Sequence, residues 1–170
     1  MEFVELKCIS VDDAWNEYIL YGGLPPVVLQ ENEKQKREYL LNLFETTYLK
    51  DIIERNDIKR KDVLDAVVNI LASSIGSLTN PMNIYKTYIS AGDKDISINT
   101  ITSYIEYIEN AFLIKKVERY DVKRRKHIST PFKYYFTDLG LRNARLNFRQ
   151  QEENHIMENI IYNELLIRGY

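Results

Sequence analysis

The chain has 170 residues, of which 45% are apolar and 28% charged, a balance that supports a buried core and excludes a generically disordered polymer. Its 25 acidic and 23 basic residues leave a formal charge of -2. A globally basic nucleic-acid binder is therefore excluded, and only a local basic patch could do that work.

In chain order, residues 11–20 read as a short helix. Asp12 or Asp13 is placed to cap it, and Trp15, Tyr18 and Ile19 share one face. Gly22-Gly23-Leu24-Pro25-Pro26 stops it, because the glycines permit positive φ and the prolines remove donors. A long helical pattern runs from Glu33 to about Arg55, with Leu40, Leu43, Phe44, Thr47 and Tyr48 at three- and four-residue steps. Asp62 is placed to cap a helix reaching Ile75, with Gly76 as its stop. Asn80-Pro81 begins another helix, to residue 91, and Ser97 opens one to residue 112. The last of these carries the stripe Ile98, Ile101, Ile105, Ile108 and Phe112. A strand follows through Val117 to Tyr120, then a polar tip, Lys123-Arg124-Arg125-Lys126-His127, and an aromatic strand over Phe132–Phe136. A final helical pattern runs from Asn154 to Arg168.

Three helices followed by a basic-tipped hairpin describe a winged helix-turn-helix, in which the third helix enters the major groove and the wing touches phosphates. The expected fold is mainly α. A helical N-terminal segment (1–60) precedes a winged helix-turn-helix with a small β-hairpin wing (61–148) and a C-terminal helix (149–170). Charge sharpens this reading. From Leu113 to Arg149 there are eleven basic residues (Lys115, Lys116, Arg119, Lys123, Arg124, Arg125, Lys126, Lys133, Arg142, Arg145 and Arg149) against Glu118, Asp121 and Asp138. Such segregation suits counterion release from a phosphate backbone. Lys123, Arg124, Arg125 and Lys126 are the expected phosphate contacts, and Asn99, Thr102 and Ser103 face the groove. The same helix carries Glu106 and Glu109 and no Lys or Arg on its outward face, which equally suits a protein-docking surface.

The chemistry of an enzyme is not evident. There is no Gly-x-x-x-x-Gly-Lys-Ser/Thr loop and no Gly-x-Gly-x-x-Gly. His127 and His155 have no companions at zinc-ligand spacing, and Cys8, the single cysteine, lacks a partner for an internal disulfide. Glu158 and Glu164, six residues apart, share no helical face and read as solvent-facing or capping groups. No catalytic residue, metal or cofactor is expected. The N-terminus has no secretory pattern, and no apolar run approaches the ~18–20 residues of a membrane span. A cytoplasmic, non-membrane location is expected.

Five stretches taken together carry a resemblance. They are Tyr18-Ile-Leu-Tyr-Gly-Gly-Leu-Pro25, Thr47-Tyr-Leu-Lys-Asp-Ile-Ile53, Tyr104 to Ile114, Lys133-Tyr-Tyr-Phe-Thr-Asp-Leu-Gly-Leu141 and Met157 to Leu165. Their order and spacing resemble the C-terminal part of prokaryotic AAA-type P-loop ATPases that carry a C-terminal domain of unknown function. The resemblance implies an ATPase core before this region and a restriction-endonuclease-like fold opening with the last helix, its remaining strands lying past Tyr170. It implies a non-catalytic fragment that binds or positions double-stranded DNA. The alternative is a protein-interaction module whose partner is the ATPase core, the nuclease-like domain or a second copy. The apolar side of the last helix must then pack back on the winged helix, pair with a copy, or lie loose.

Overall fold

The structure is a computed structural model that describes residues 9–92, 95–121, 126–149 and 153–170, with the backbone path alone at 119–121 and 126–130. It is mainly helical, with a two-stranded antiparallel hairpin and a C-terminal helix. Contacts divide the chain into two compact units, Met1–Asp51 with Asp138–Gln151 and Ile52–Thr137 with Glu152–Tyr170. The expected segments met at 60/61 and 148/149. The contacts instead place 138–149 with the N-terminal unit and the last helix with the hairpin unit.

The first unit begins with α1, Val11–Tyr21. Its cap is Ser10, whose hydroxyl oxygen accepts from the Asp13 amide at 3.1 Å; neither Asp12 nor Asp13 caps it. Ala14 and Tyr21 are the buried residues of this helix, whereas Trp15 is exposed. Gly22 ends α1 at φ 74°, and α2 (Pro25–Val28) follows with its prolines at the first turn, where no amide donor is required. The run from Glu33 to Arg55 is helical throughout but not uniform. It comprises α3 (Glu33–Asn42), a π-helical stretch (Leu43–Leu49) and α4 (Lys50–Arg55). The Thr46 hydroxyl donates to the Asn42 carbonyl at 2.6 Å, in the manner by which Ser and Thr loosen the ordinary helical ladder. The division between units falls inside α4.

Helix α8, Leu139–Arg145, closes the first unit. Asp138 caps it by accepting from the Leu141 amide at 3.2 Å, and the same carboxylate accepts from the Gly23 amide at 2.9 Å. One side chain thereby starts a helix and fixes the turn after α1. Burial pushes the Asp138 carboxyl above the usual range, against the lowering effect of these backbone donors. Asn143 donates to the Ile19 and Leu20 carbonyls, satisfying groups that the end of α1 leaves unpaired. Val27, Val28, Leu40, Phe44, Leu49, Leu141 and Ala144 form the core of this unit.

The second unit holds α5 (Lys61–Ser73), α6 (Pro81–Ser90), α7 (Ile98–Asn110), β1 (Ile114–Asp121), β2 (Lys126–Phe136) and α9 (Glu153–Ile167). Asp62 does not cap α5. It lies in the first turn and pairs with Arg60 at 2.7 Å. Between α5 and α6, Thr79 forms an antiparallel bridge with Phe132, its amide donating at 2.8 Å and its carbonyl accepting at 2.7 Å. The order is thus helix, bridging residue, helix, helix, strand, strand, which is that of a winged helix-turn-helix. Val63, Val67, Leu71, Ile84, Ile101, Ile105, Ile108 and Phe136 are among its buried residues.

The hairpin register pairs Ile114 with Phe136 and Asp121 with Lys126. It slips between Glu118, opposite Phe132, and Arg119, opposite Ile128. Pro131 sits in the slip, where a residue without an amide donor cannot join the ladder. The second strand therefore begins earlier than its aromatic run suggests, at Lys126 rather than Phe132.

Candidate nucleic-acid interface

Helix α7 is built by its isoleucine stripe and by Ser97, whose hydroxyl oxygen accepts from the Thr100 amide at 3.1 Å. Ile101, Ile105 and Ile108 are buried. Phe112 departs from the stripe. The helix ends at Asn110, the chain turns left-handed at Phe112 (φ 58°), and the ring is 67% exposed. The Leu113 amide reaches back to the Ile108 carbonyl at 3.3 Å, and the Thr137 hydroxyl holds the Phe112 carbonyl at 2.7 Å.

Of the three polar residues expected to face the groove, Asn99 is exposed, while Thr102 and Ser103 are half-buried. The Thr102 hydroxyl donates to the Ile98 carbonyl at 3.0 Å, so towards a ligand it can act as an acceptor only. Glu106 and Asn110 are exposed on the same helix. Glu109 has an internal task. Its carboxylate accepts from the Lys116 amide at 3.2 Å, which occupies an amide on β1. The bond orients the Glu109 carboxylate but leaves its charge, so both carboxylates still weigh against a polyanion at this helix.

The described cations fall in both units, and several of them are already committed. Arg142, Arg145 and Arg149 belong to the first unit. Arg142 is fully buried there and donates to Asn143 at 3.1 Å. Arg145 pairs with Glu45 at 3.4 Å and lies 5.7 Å from the centre of the Phe44 ring. In the second unit Lys133 is paired with Glu158. Lys116 is exposed, its ammonium 4.8 Å from the centre of the Phe132 ring, and Lys115 stands 5.1 Å from the centre of the Phe112 ring. Lys123, Arg124 and Arg125 lie outside the described residues. Lys126 is placed by its backbone opposite Asp121 at the start of β2, and its side chain is likewise outside them.

Glu158 is half-buried and engaged rather than a bare solvent-facing group. It accepts from the Lys133 ammonium and from the Tyr135 hydroxyl at 2.7 Å, and Tyr162 stacks on Tyr135 with ring centres 4.5 Å apart. Burial acts to raise the Glu158 carboxyl, but the Lys133 and Tyr135 donors outweigh it and hold the group below its ordinary value. Burial, followed by the Glu158 bond, pushes the Tyr135 phenol up, so it stays a donor. The contribution of Glu158 to stability is fully present above its unfolded value and is lost as pH falls through the lower folded one. Acid titration of thermal stability is expected to show a loss below the ordinary carboxylate range that is smaller in Glu158→Gln. Superimposable wild-type and variant curves would remove Glu158 from that role. Both partners are partly exposed, so the effect is modest.

Among the described residues, no three or more His, Cys, Asp or Glu side chains gather where they could hold a metal ion. Nor is any described helix long and apolar enough to cross a membrane.

Residues 12–152 match a family described as a domain of unknown function, DUF8612. The chain belongs to this family. An uncharacterized protein of Haemophilus influenzae is 36% identical to this DUF8612 chain over 174 aligned positions, covering 99% of the chain and 43% of that protein. An uncharacterized protein of Methanocaldococcus jannaschii is 31% identical over 159 positions, covering 91% of the chain and 34% of that protein. The chain thus spans less than half the length of either curated relative. No solved structure matches it.

Two residues of the DUF8612 chain were not singled out for their roles by sequence reasoning. Asn159 is fully buried on α9, accepting from the Phe136 amide at 2.7 Å and donating to the Phe136 carbonyl at 2.8 Å. Its signal was an amide between Ile156 and Ile160, on the face that the helix buries. Lys133 was counted as part of the cationic excess. Its signal was the two-residue spacing to Tyr135, which puts both on one side of β2 ahead of an acidic helix.

Proposed function

We propose that this chain is a non-catalytic winged-helix module that grips double-stranded DNA through its hairpin. It would be the C-terminal region of a longer AAA-type P-loop ATPase. Lys123, Arg124, Arg125 and Lys126 contact phosphates, and Asn99 leads the groove-facing side of α7, with Thr102 and Ser103 behind it. The observation that carries the reading is the winged-helix order of the second unit combined with its charge. From Leu113 to Thr137 eight basic residues stand against Glu118 and Asp121. A hairpin of that sign can hold a phosphate backbone although the chain as a whole is anionic. Membership of a longer ATPase rests on the sequence resemblance and is in keeping with relatives more than twice the length of the region they share.

Fluorescence anisotropy on a labelled duplex across a salt series tests this. Wild type is expected to bind at low salt and weaken steeply as salt rises. Changing Lys123, Arg124, Arg125 and Lys126 together to Ala should cost about tenfold or more. It should also reduce the log–log salt slope by roughly 3–4, near 0.9 for each phosphate that the variant leaves unneutralised. No binding by wild type at low salt, or equal binding by the variant, overturns the proposal.

A second reading, a protein-interaction module, is favoured by apolar side chains that α9 leaves exposed, among them Ile161 and Leu165.

A further inference from the structure

The outward face of α7 is weighted towards hydrogen-bond acceptors. Asn99, Glu106 and Asn110, at steps of seven and four residues, fall on one line along the helix, opposite the buried Ile101, Ile105 and Ile108, and all three are exposed. Thr102 flanks that line and is half-buried. Its hydroxyl proton is committed to the Ile98 carbonyl at 3.0 Å, so it offers lone pairs alone. An ionised carboxylate such as that of Glu106 likewise accepts and does not donate. From Ile98 to Asn110 the helix has no Lys or Arg. The side chains that ordinarily recognise guanine, through its O6 and N7 acceptors, are therefore missing from it, while acceptors suited to base amino groups are present.

We propose that α7 reads amino groups in the major groove, with Glu106 accepting from the N4 amino group of a cytosine and Asn99 pairing with N6 and N7 of an adenine. This deepens, and rests on, the reading of the second unit as a winged helix that grips DNA. Seven residues of helix rise about 10 Å, close to three base-pair steps of about 3.4 Å, so the two bases lie about three positions apart. Thr102, between them, adds an acceptor for a further amino group. Glu106 repels every phosphate backbone alike, but its effect on bases is selective. At guanine or thymine it would meet O6, N7 or O4, lone pairs against lone pairs, and a desolvated carboxylate would be left with no donor. The hairpin then supplies grip without sequence, and α7 supplies discrimination by penalising the wrong base.

Selection and sequencing of bound duplexes from a randomised pool, with the full 170-residue chain at low salt, tests it. Wild type is expected to enrich a cytosine and an adenine about three positions apart. Glu106→Gln should erase the cytosine preference alone, because an amide can donate to guanine as well as accept. The same variant should bind an unselected duplex severalfold more tightly, since one like charge is gone. Asn99→Ala should erase the adenine preference alone. On the selected duplex, inverting the C·G pair should weaken wild type about tenfold and Glu106→Gln by less than about threefold. Both side chains are exposed, so both variants should fold and melt as wild type does. A wild type that binds duplex without base preference, or that enriches guanine at the position Glu106→Gln alters, overturns this inference and leaves the hairpin grip standing. An unchanged profile in Glu106→Gln does the same. Failure of wild type to bind any duplex overturns the winged-helix DNA reading itself, and this inference with it.

Discussion

Changing Gly140 to alanine is expected to destabilise the first unit by about 3 kcal/mol or more, seen as a fall in Tm of roughly 10 °C. A Cβ at this position would stand 2.1 Å from the Tyr21 carbonyl oxygen and 2.6 Å from its carbon. Both are backbone atoms at the end of α1, so no rotamer change can make room. Relief would require α8 to withdraw from α1. That movement would stretch the bonds from Asn143 to the Ile19 and Leu20 carbonyls and the bond from the Gly23 amide to Asp138. A variant melting within about a degree of wild type would show that the close approach does not exist.

The second large effect is expected at Asn159. Its amide joins α9 to the end of β2, bonding both the amide and the carbonyl of Phe136 inside the core. In Asn159→Ala the Phe136 carbonyl keeps Asn163, which donates to it at 3.0 Å, but the Phe136 amide loses the acceptor it has here. The cost expected is about 2–3 kcal/mol, combining a buried donor left unsatisfied with a small cavity. Asn159→Asp makes a sharper test. At neutral pH a carboxylate would face the Phe136 carbonyl, and the variant should be at least as unstable as the alanine one. Burial raises the folded pKa of such a group, so the destabilisation is present above that value and recedes as pH falls through it. The protonated acid can then donate to the carbonyl while accepting from the amide. Thermal melts of the three proteins at neutral and mildly acidic pH check this. An aspartate variant with no recovery in acid would contradict the assigned geometry.

Periodicity made most of the helices legible, because a helix that buries one face must repeat its apolar residues at three- and four-residue steps. Ile101, Ile105 and Ile108 on α7 behave in this way. Where the reading missed, a contact distant in sequence or a backbone group had intervened. Phe112 continues the α7 pattern on paper, but Thr137, 25 residues on, holds its carbonyl while the chain turns at a left-handed residue. Asp12, Asp13 and Asp62 all looked like caps, whereas Ser10 caps α1 and Asp62 lies inside α5. Cap position depends on which residue leaves helical geometry, and several neighbours had suitable side chains. The π-helical stretch carried no clear signal, since leucines and aromatics at similar steps fit either winding. On α7 the exposure of Asn99 was legible, but the inward turn of the Thr102 hydroxyl was not. A count of cations along the chain could not distinguish Lys133, committed to Glu158, or Arg142, buried in the other unit, from cations on a free surface.

The first unit is discontinuous, with its N-terminal helices completed by α8, which follows the hairpin. This has a consequence for biosynthesis. The segment up to Asp51 leaves the ribosome before Asp138, Gly140 and Asn143 have been made, so the turn at Gly23 and the carbonyls of Ile19 and Leu20 await partners 115 to 124 residues away. At about 5–20 residues per second the delay is roughly 6–25 s. During that interval Val27, Val28, Leu40 and Phe44 lack their final packing, and this is when the nascent chain is most open to chaperone binding or aggregation.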